Sequence, residues 1–265
     1  MKKEVIKKTT MKDQYNIKVL EKIVTILNLY NDKEHEFTLT EIKKRTGFPK
    51  TTVFRILKTF ENAGFFKYDL ADEKYSLGLR FLELGGIVYE SLSIRKAAAP
   101  YMDVLSQNLK AVILLGVLKN DQLLYIDKNE SNSIIRISSR IGLRRPPYYG
   151  MLGMTLLAYM EESERKRLLQ QYPPTKITEY TGTDVDEVMR KLDETRKLGY
   201  YIEKDEVVEG LLGIGVPIKD YYGNVVAALG ATQPAFQIKK GDIEDIIQEL
   251  LKASKIISKE LGHIE

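Results

Sequence analysis

Residues 38–77 constrain this chain more than any other stretch. Thr40 can cap a short helix with Glu41 in its first turn, and Gly47 stands where a residue past a helix C-terminus is wanted. Pro49 then opens another helix, where its missing N–H costs nothing. Val53, Ile56, Leu57 and Phe60 share one face of that helix, while Lys50, Thr51, Thr52, Arg55 and Lys58 lie on the others. Asn62-Ala63-Gly64 ends it, and residues 65–68 and 74–77 read as two short strands around a turn at 69–73. Residues 17–30 form an earlier amphipathic helix, with Leu20, Ile23, Val24 and Leu27 expected on its packed face. Three helices, a tight glycine turn and a hairpin make a winged helix-turn-helix.

In that arrangement the N-terminal half of the last helix reaches base edges in the major groove. Arg55 suits bidentate contact with guanine, and Thr40, Lys50, Thr51, Thr52, Lys58 and Lys74 complete the expected DNA-binding set. Charge agrees. The first 80 residues hold 17 Lys and Arg against 11 Asp and Glu, and the remainder holds 24 against 26. The positive excess therefore lies where a polyanion is expected. The competing readings are a three-helix domain with a solvated basic face and a protein-docking winged helix.

With 265 residues, 43% hydrophobic and 29% charged, the chain suits two domains. It has no cysteine, no apolar stretch long enough for a membrane span, and a charged start without a signal-peptide core. A cytoplasmic protein with a disordered arm at 1–13 is expected. Residues 79–110 are helical in pattern, with Leu79, Leu82, Gly86 and Tyr89 on one side; either a linker or a buried helix fits. Beyond them, residues 111–118 and 122–127 read as a hairpin, 134–139 as a third strand, and 212–218 and 225–232 as a later pair. Helices are expected near 151–160, 163–171, 184–198 and 241–261. Strands joined by hairpins and mixed with helices imply an α+β domain with an antiparallel sheet.

Several motifs in order carry a resemblance. They are Thr38-Leu39-Thr40-Glu41-Ile42, Thr46-Gly47-Phe48-Pro49-Lys50-Thr51-Thr52-Val53-Phe54-Arg55-Ile56-Leu57, Glu61-Asn62-Ala63-Gly64-Phe65 and Lys74-Tyr75-Ser76-Leu77-Gly78. Together they resemble the IclR (isocitrate lyase regulator) family of transcription factors, and the likeness spans nearly all of residues 16–262. It implies a winged helix-turn-helix at 14–78, a linker helix at 79–95 that helps pair subunits, and a GAF-like effector-binding and oligomerisation domain at 96–265. The implied partners are double-stranded operator DNA, a small organic acid and a second copy of the chain, with a dimer of dimers as a further form. No membrane and no cofactor are implied.

The resemblance also implies an effector site. Residues 147–158 take the place of the family's loop-to-helix motif, in which backbone N–H groups at the helix start, here Met151 and Leu152, hold an acidic effector. Carried over position by position, the site adds Ile137, Arg145, Glu203, Leu211, Gly213, Gly230 and Thr232. Met154 stands where Lys is usual and Tyr148 where His is usual. Gly213 and Gly230 lack the polar side chains found at those places, so a wider floor and a larger acid are expected. Arg145 suits a carboxylate clamp but is expected in solvent beside Arg144.

Other residues look chemical without supporting chemistry. Residues 210–215 are rich in glycine but do not fit GxGxxG and lead into a strand. His35 and His263 are the only histidines, one in a polar turn and one near the C-terminus, so no histidine-based catalytic or metal set is expected. Glu203, Asp205, Glu206 and Glu209 read as a solvated acidic loop, and the Tyr148-Tyr149, Tyr200-Tyr201 and Tyr221-Tyr222 pairs as half core and half surface. A ligand-controlled DNA-binding repressor is the leading reading. A DNA-associated structural protein whose second domain only dimerises, and a winged-helix enzyme, are the alternatives.

Overall fold

The computed structural model describes residues 17–31, 33–91, 93–130, 139–239 and 241–264, with the side chains of 88–91 not described. The chain divides into two compact units, residues 1–88 and 89–265. The arm expected at 1–13 and most of the strand expected at 134–139 lie outside the described residues.

In the first unit, α1 (Lys18–Leu27), α2 (Leu39–Thr46) and α3 (Lys50–Asn62) pack beside β1 (Glu36–Thr38), β2 (Phe66–Asp69) and β3 (Lys74–Leu77). The sheet order is β1-β3-β2, antiparallel throughout. Thr38, not Thr40, caps α2. Its Oγ1 accepts from Glu41 N at 3.2 Å, and Glu41 Oε2 accepts from Thr38 N at 2.8 Å, a reciprocal capping box. Thr40 is exposed within the first turn. Gly47 closes α2 at a φ of +71°, a left-handed conformation that glycine adopts at least cost.

Ile26, Phe37, Ile42, Val53, Ile56, Leu57, Phe66 and Tyr75 form this unit's core, with Phe60 partly buried against it. The expected face of α1 is only half right. Ile23 and Leu27 pack on the core with Ile26, but Leu20 and Val24 are 52% and 55% exposed. Adjacent apolar stripes on one helix satisfy the same periodicity, and only tertiary contact decides which is buried.

Helix α4 (Arg80–Ser91) follows the wing. Leu79, Leu82 and Ile87 are 76%, 72% and 68% exposed, so it is not a helix buried within one domain.

The second unit is a sheet between helices. Its strands are β4 (Val112–Lys119), β5 (Gln122–Asn129), β6 (Arg144–Arg145), β7 (Tyr201–Lys204), β8 (Leu211–Lys219) and β9 (Val225–Pro234). Their order is β6-β5-β4-β9-β8-β7, every pair antiparallel. The β4–β5 hairpin turns on Asn120 and Asp121, both at positive φ, as a two-residue loop between right-twisted strands requires.

Alternation splits the sheet's side chains. Leu212, Ile214, Val216, Ile218, Ala227, Leu229 and Ala231 face α5 (Ser93–Leu109) and α9 (Asp242–Glu260). Val112, Leu114 and Ala228 face α6 (Gly150–Ala158), with α7 (Glu162–Gln171) and α8 (Val185–Leu198) contributing Leu168, Leu169, Val188 and Leu192. Strand β8 outruns β7 beyond Gly215. There α9 satisfies the open edge: Ser254 Oγ donates to Pro217 O, and Lys219 N donates to Ser258 Oγ at 2.9 Å. His263 is not in a free tail. Its Nδ1 lies 3.1 Å from Asp220 O at the β8–β9 turn.

Candidate functional site

Two surfaces carry the expected residues, one in each unit. On α3, Lys50, Thr51, Arg55 and Lys58 are exposed. Thr52 is half-buried and lines a groove of about 380 Å³ with Val19 and Ile23 of α1. Lys58 pairs with Glu61 at 3.0 Å, and Lys74 with Glu36 of β1 at 3.5 Å. Such exposed pairs are worth about 0–1 kcal/mol, so a phosphate can replace either carboxylate. Arg55 has no ion-pair partner among the described residues. Phe54, 48% exposed on the same helix, is a surface residue that periodicity did not single out. Large aromatics at helical spacing read as core, and only its exposure marks it as suited to a thymine methyl.

In the second unit, register brings the expected residues together. Glu203 pairs with Gly213 and Gly213 with Thr232, so a single row crosses β7, β8 and β9. Leu211 and Gly230 lie two places along from this row and share its face. That face lies under α6, whose residues from Met151 to Ala158 are all buried. The helix sits close because Gly215 has no side chain: a Cβ there would be 2.6 Å from Met151 O and 2.7 Å from Thr155 Oγ1. Close helix–sheet packing therefore accounts for these glycines better than any nucleotide loop.

The α6 N-terminus holds a carboxylate that belongs to the chain itself. Met151 N donates to Glu203 Oε2 at 2.8 Å. Gly150, at a φ of +60°, gives the carboxylate room, since a Cβ there would be 2.8 Å from Oε2. Burial pushes the Glu203 carboxyl up to about 7. The Met151 amide opposes that rise, the Glu206 charge adds to it, and the Val207 amide opposes it.

Three expectations about this site are corrected. The space left by Gly213 and Gly230 is filled: Met151 Sδ would lie 2.8 Å from a Cβ at 213, and Met151 Cε and Leu152 Cδ2 each 2.9 Å from one at 230. Arg145 is not in solvent. It is half-buried, with its guanidinium 5.2 Å from the Tyr149 ring centroid, while Arg144 donates to Lys119 O at 2.8 Å. The acidic loop is not simply solvated. Glu206 accepts from Lys191 Nζ at 2.9 Å and from Tyr201 OH at 2.6 Å, and Glu203 is buried.

Ile137 lies outside the described residues. Tyr148 is buried, with its hydroxyl donating to Pro173 O at 3.0 Å, whereas Tyr221 and Tyr222 are both exposed rather than half core. Among the described residues no group of three His, Cys, Asp or Glu is arranged to hold a metal. No helix among them is long and apolar enough to cross a membrane.

Residues 87–259 match the family described as bacterial transcriptional regulator IclR, C-terminal, and residues 19–70 match the IclR helix-turn-helix domain. The chain belongs to the IclR family of transcriptional regulators. Among relatives of this IclR-family chain, the HTH-type transcriptional regulator KdgR of Escherichia coli K12 is 33% identical over 231 residues, covering 87% of this chain and 88% of KdgR. The crystal structure of an IclR transcriptional regulator from Alicyclobacillus acidocaldarius superposes with a TM-score of 0.81 at 27% identity, covering 94% of this chain and all of that one. An IclR homologue from Microbacterium hydrocarbonoxydans, solved in complex with 4-hydroxybenzoate, gives a TM-score of 0.79 at 27% identity and covers 92% of this chain and 98% of that one. The winged helix-turn-helix followed by an α+β domain is thus the architecture of the family.

Proposed function

We propose that this IclR-family chain binds operator DNA as a dimer through α3 and its wing, and that a small carboxylic acid held at the start of α6 weakens that binding, making it a repressor. The observation that carries the reading is the Glu203 carboxylate on Met151 N, because it means this helix start already suits a carboxylate. In this reading Thr232, Arg145 and Tyr149 supply further polar contacts, and Leu211 apolar wall. Met151 has an unbranched thioether side chain that can withdraw from beneath Gly213 and Gly230, so an acid with a ring or several carbons fits the same space. The complex of the Microbacterium homologue with 4-hydroxybenzoate supports an acid of that kind. Pairing of two copies is supported by the exposed apolar residues of α1 and α4, Leu20, Val24, Leu82 and Ile87.

Footprinting on a duplex selected from a random library tests the reading. The expected result is two protected half-sites one helical turn apart, about 34 Å, or a multiple of it. Protection should fade on adding 4-hydroxybenzoate or pyruvate and persist with their amides. A single isolated half-site, or protection indifferent to every acid tried, contradicts it.

A further inference from the structure

We infer that Glu203 is a built-in competitor for the effector site: its carboxylate occupies the amide that an effector carboxylate needs, so the effector displaces it and the complex takes up a proton. The inference rests on the acid-sensing reading above and specifies how that site is regulated. Two separate features fit the Glu203 carboxylate to the α6 start: the 2.8 Å bond from Met151 N and the missing side chain of Gly150. A second anion on Met151 N would meet the same oxygen. Glu203 would then lose its amide donor and face a like charge, and both changes favour its protonated form.

The surrounding groups leave this proton on Glu203. Tyr149 precedes α6 and Tyr125 lies on β5; burial raises both phenols, Tyr125 to about 12. Tyr201 on β7 and Lys191 on α8 already hold Glu206, the carboxylate that follows on the adjoining loop. Arg145 on β6 lies over Tyr149. With Glu203 titrating at about 7, the competitor is a full anion only on the alkaline side.

Titration calorimetry of the full chain with acetate, pyruvate and 4-hydroxybenzoate, from about pH 6 to pH 8.5, tests this. Wild type should bind with nearly constant affinity below about pH 7 and lose up to about tenfold per pH unit above it, taking up close to one proton. E203Q should lose the slope and bind about tenfold tighter than wild type at about pH 8. E203D, whose carboxyl is one methylene short of Met151 N, should also bind tighter and serves should the Gln variant fail to fold.

A readout without acid accompanies it. A carboxyl raised from 4.5 to about 7 by folding adds stability that is complete below about 4.5 and lost as pH rises through about 7. The melting temperature of E203Q should therefore exceed that of wild type by a margin that widens from about pH 5 to pH 8. Wild type binding these acids without proton uptake, or E203Q binding them more weakly with the slope unchanged, overturns the inference alone. No binding by wild type or either variant overturns the acid-sensing reading and this inference with it.

Discussion

A chain carrying Arg55→Ala, Lys58→Ala and Lys74→Ala should lose about 100-fold or more of its affinity for operator DNA at moderate salt. If the Arg55 guanidinium reads a base edge as proposed, its loss costs about 1–3 kcal/mol and relaxes base preference at one position. If the two lysines neutralise phosphates as proposed, their loss lowers affinity for all sequences alike. Together they flatten the dependence of log affinity on log salt by about two units. The fold should survive, because Arg55 and Lys58 are exposed, Lys74 is partly so, and the ion pairs of Lys58 and Lys74 are solvent-facing. Anisotropy of a labelled duplex across a salt series measures both quantities. Wild-type affinity with an unchanged salt slope would remove α3 and the wing from the DNA interface.

Gly215→Ala should be strongly destabilising to the second unit. The added Cβ meets Met151 O at 2.6 Å, a backbone atom that cannot rotate away, and Thr155 Oγ1 at 2.7 Å. Helix α6 must then lift from β8, at a cost at the upper end of the roughly 1–3 kcal/mol typical of overpacking. The same movement takes Met151 N off Glu203, so acid binding should be lost with stability. Gly213→Ala provides the contrast. Its Cβ meets the Met151 sulfur at 2.8 Å, the far part of a flexible side chain, and should cost about 1 kcal/mol or less. Thermal and urea melts of the two variants decide it: equal losses would mean that the fixed backbone contact under α6 does not control this packing.

Local signals carried much of the architecture. Gly47, Pro49 and the spacing of Val53, Ile56, Leu57 and Phe60 mark the helix-turn-helix, because turn chemistry and helical period are written in adjacent residues. The β4–β5 turn is legible for the same reason. What was hidden depends on contacts distant in sequence. The three-residue strand β1 is too short to alternate, and it exists by pairing with β3. Glu203 and Met151 are 52 residues apart, so the register of β7 on β8, not any motif, delivers the carboxylate to α6. Likewise, glycines at 213 and 230 suggested empty space, whereas the Met151 side chain that fills it at Gly213 comes from a helix 62 residues earlier. Arg145 found Tyr149 through the two-residue strand β6, which pairs with β5 and has no pattern of its own.

A carboxylate effector that meets the start of α6 is reported directly by the backbone amide of Met151. The chain has seven methionines, so selective ¹⁵N-methionine labelling gives a spectrum of few signals, with Met151 assigned by the M151L variant. Titration with pyruvate or 4-hydroxybenzoate should move the Met151 signal furthest and saturably, with Met154, one turn along the same helix, moving less. A Met151 signal that stays in place while acid binds and DNA is released would contradict the account and put the effector elsewhere in the molecule.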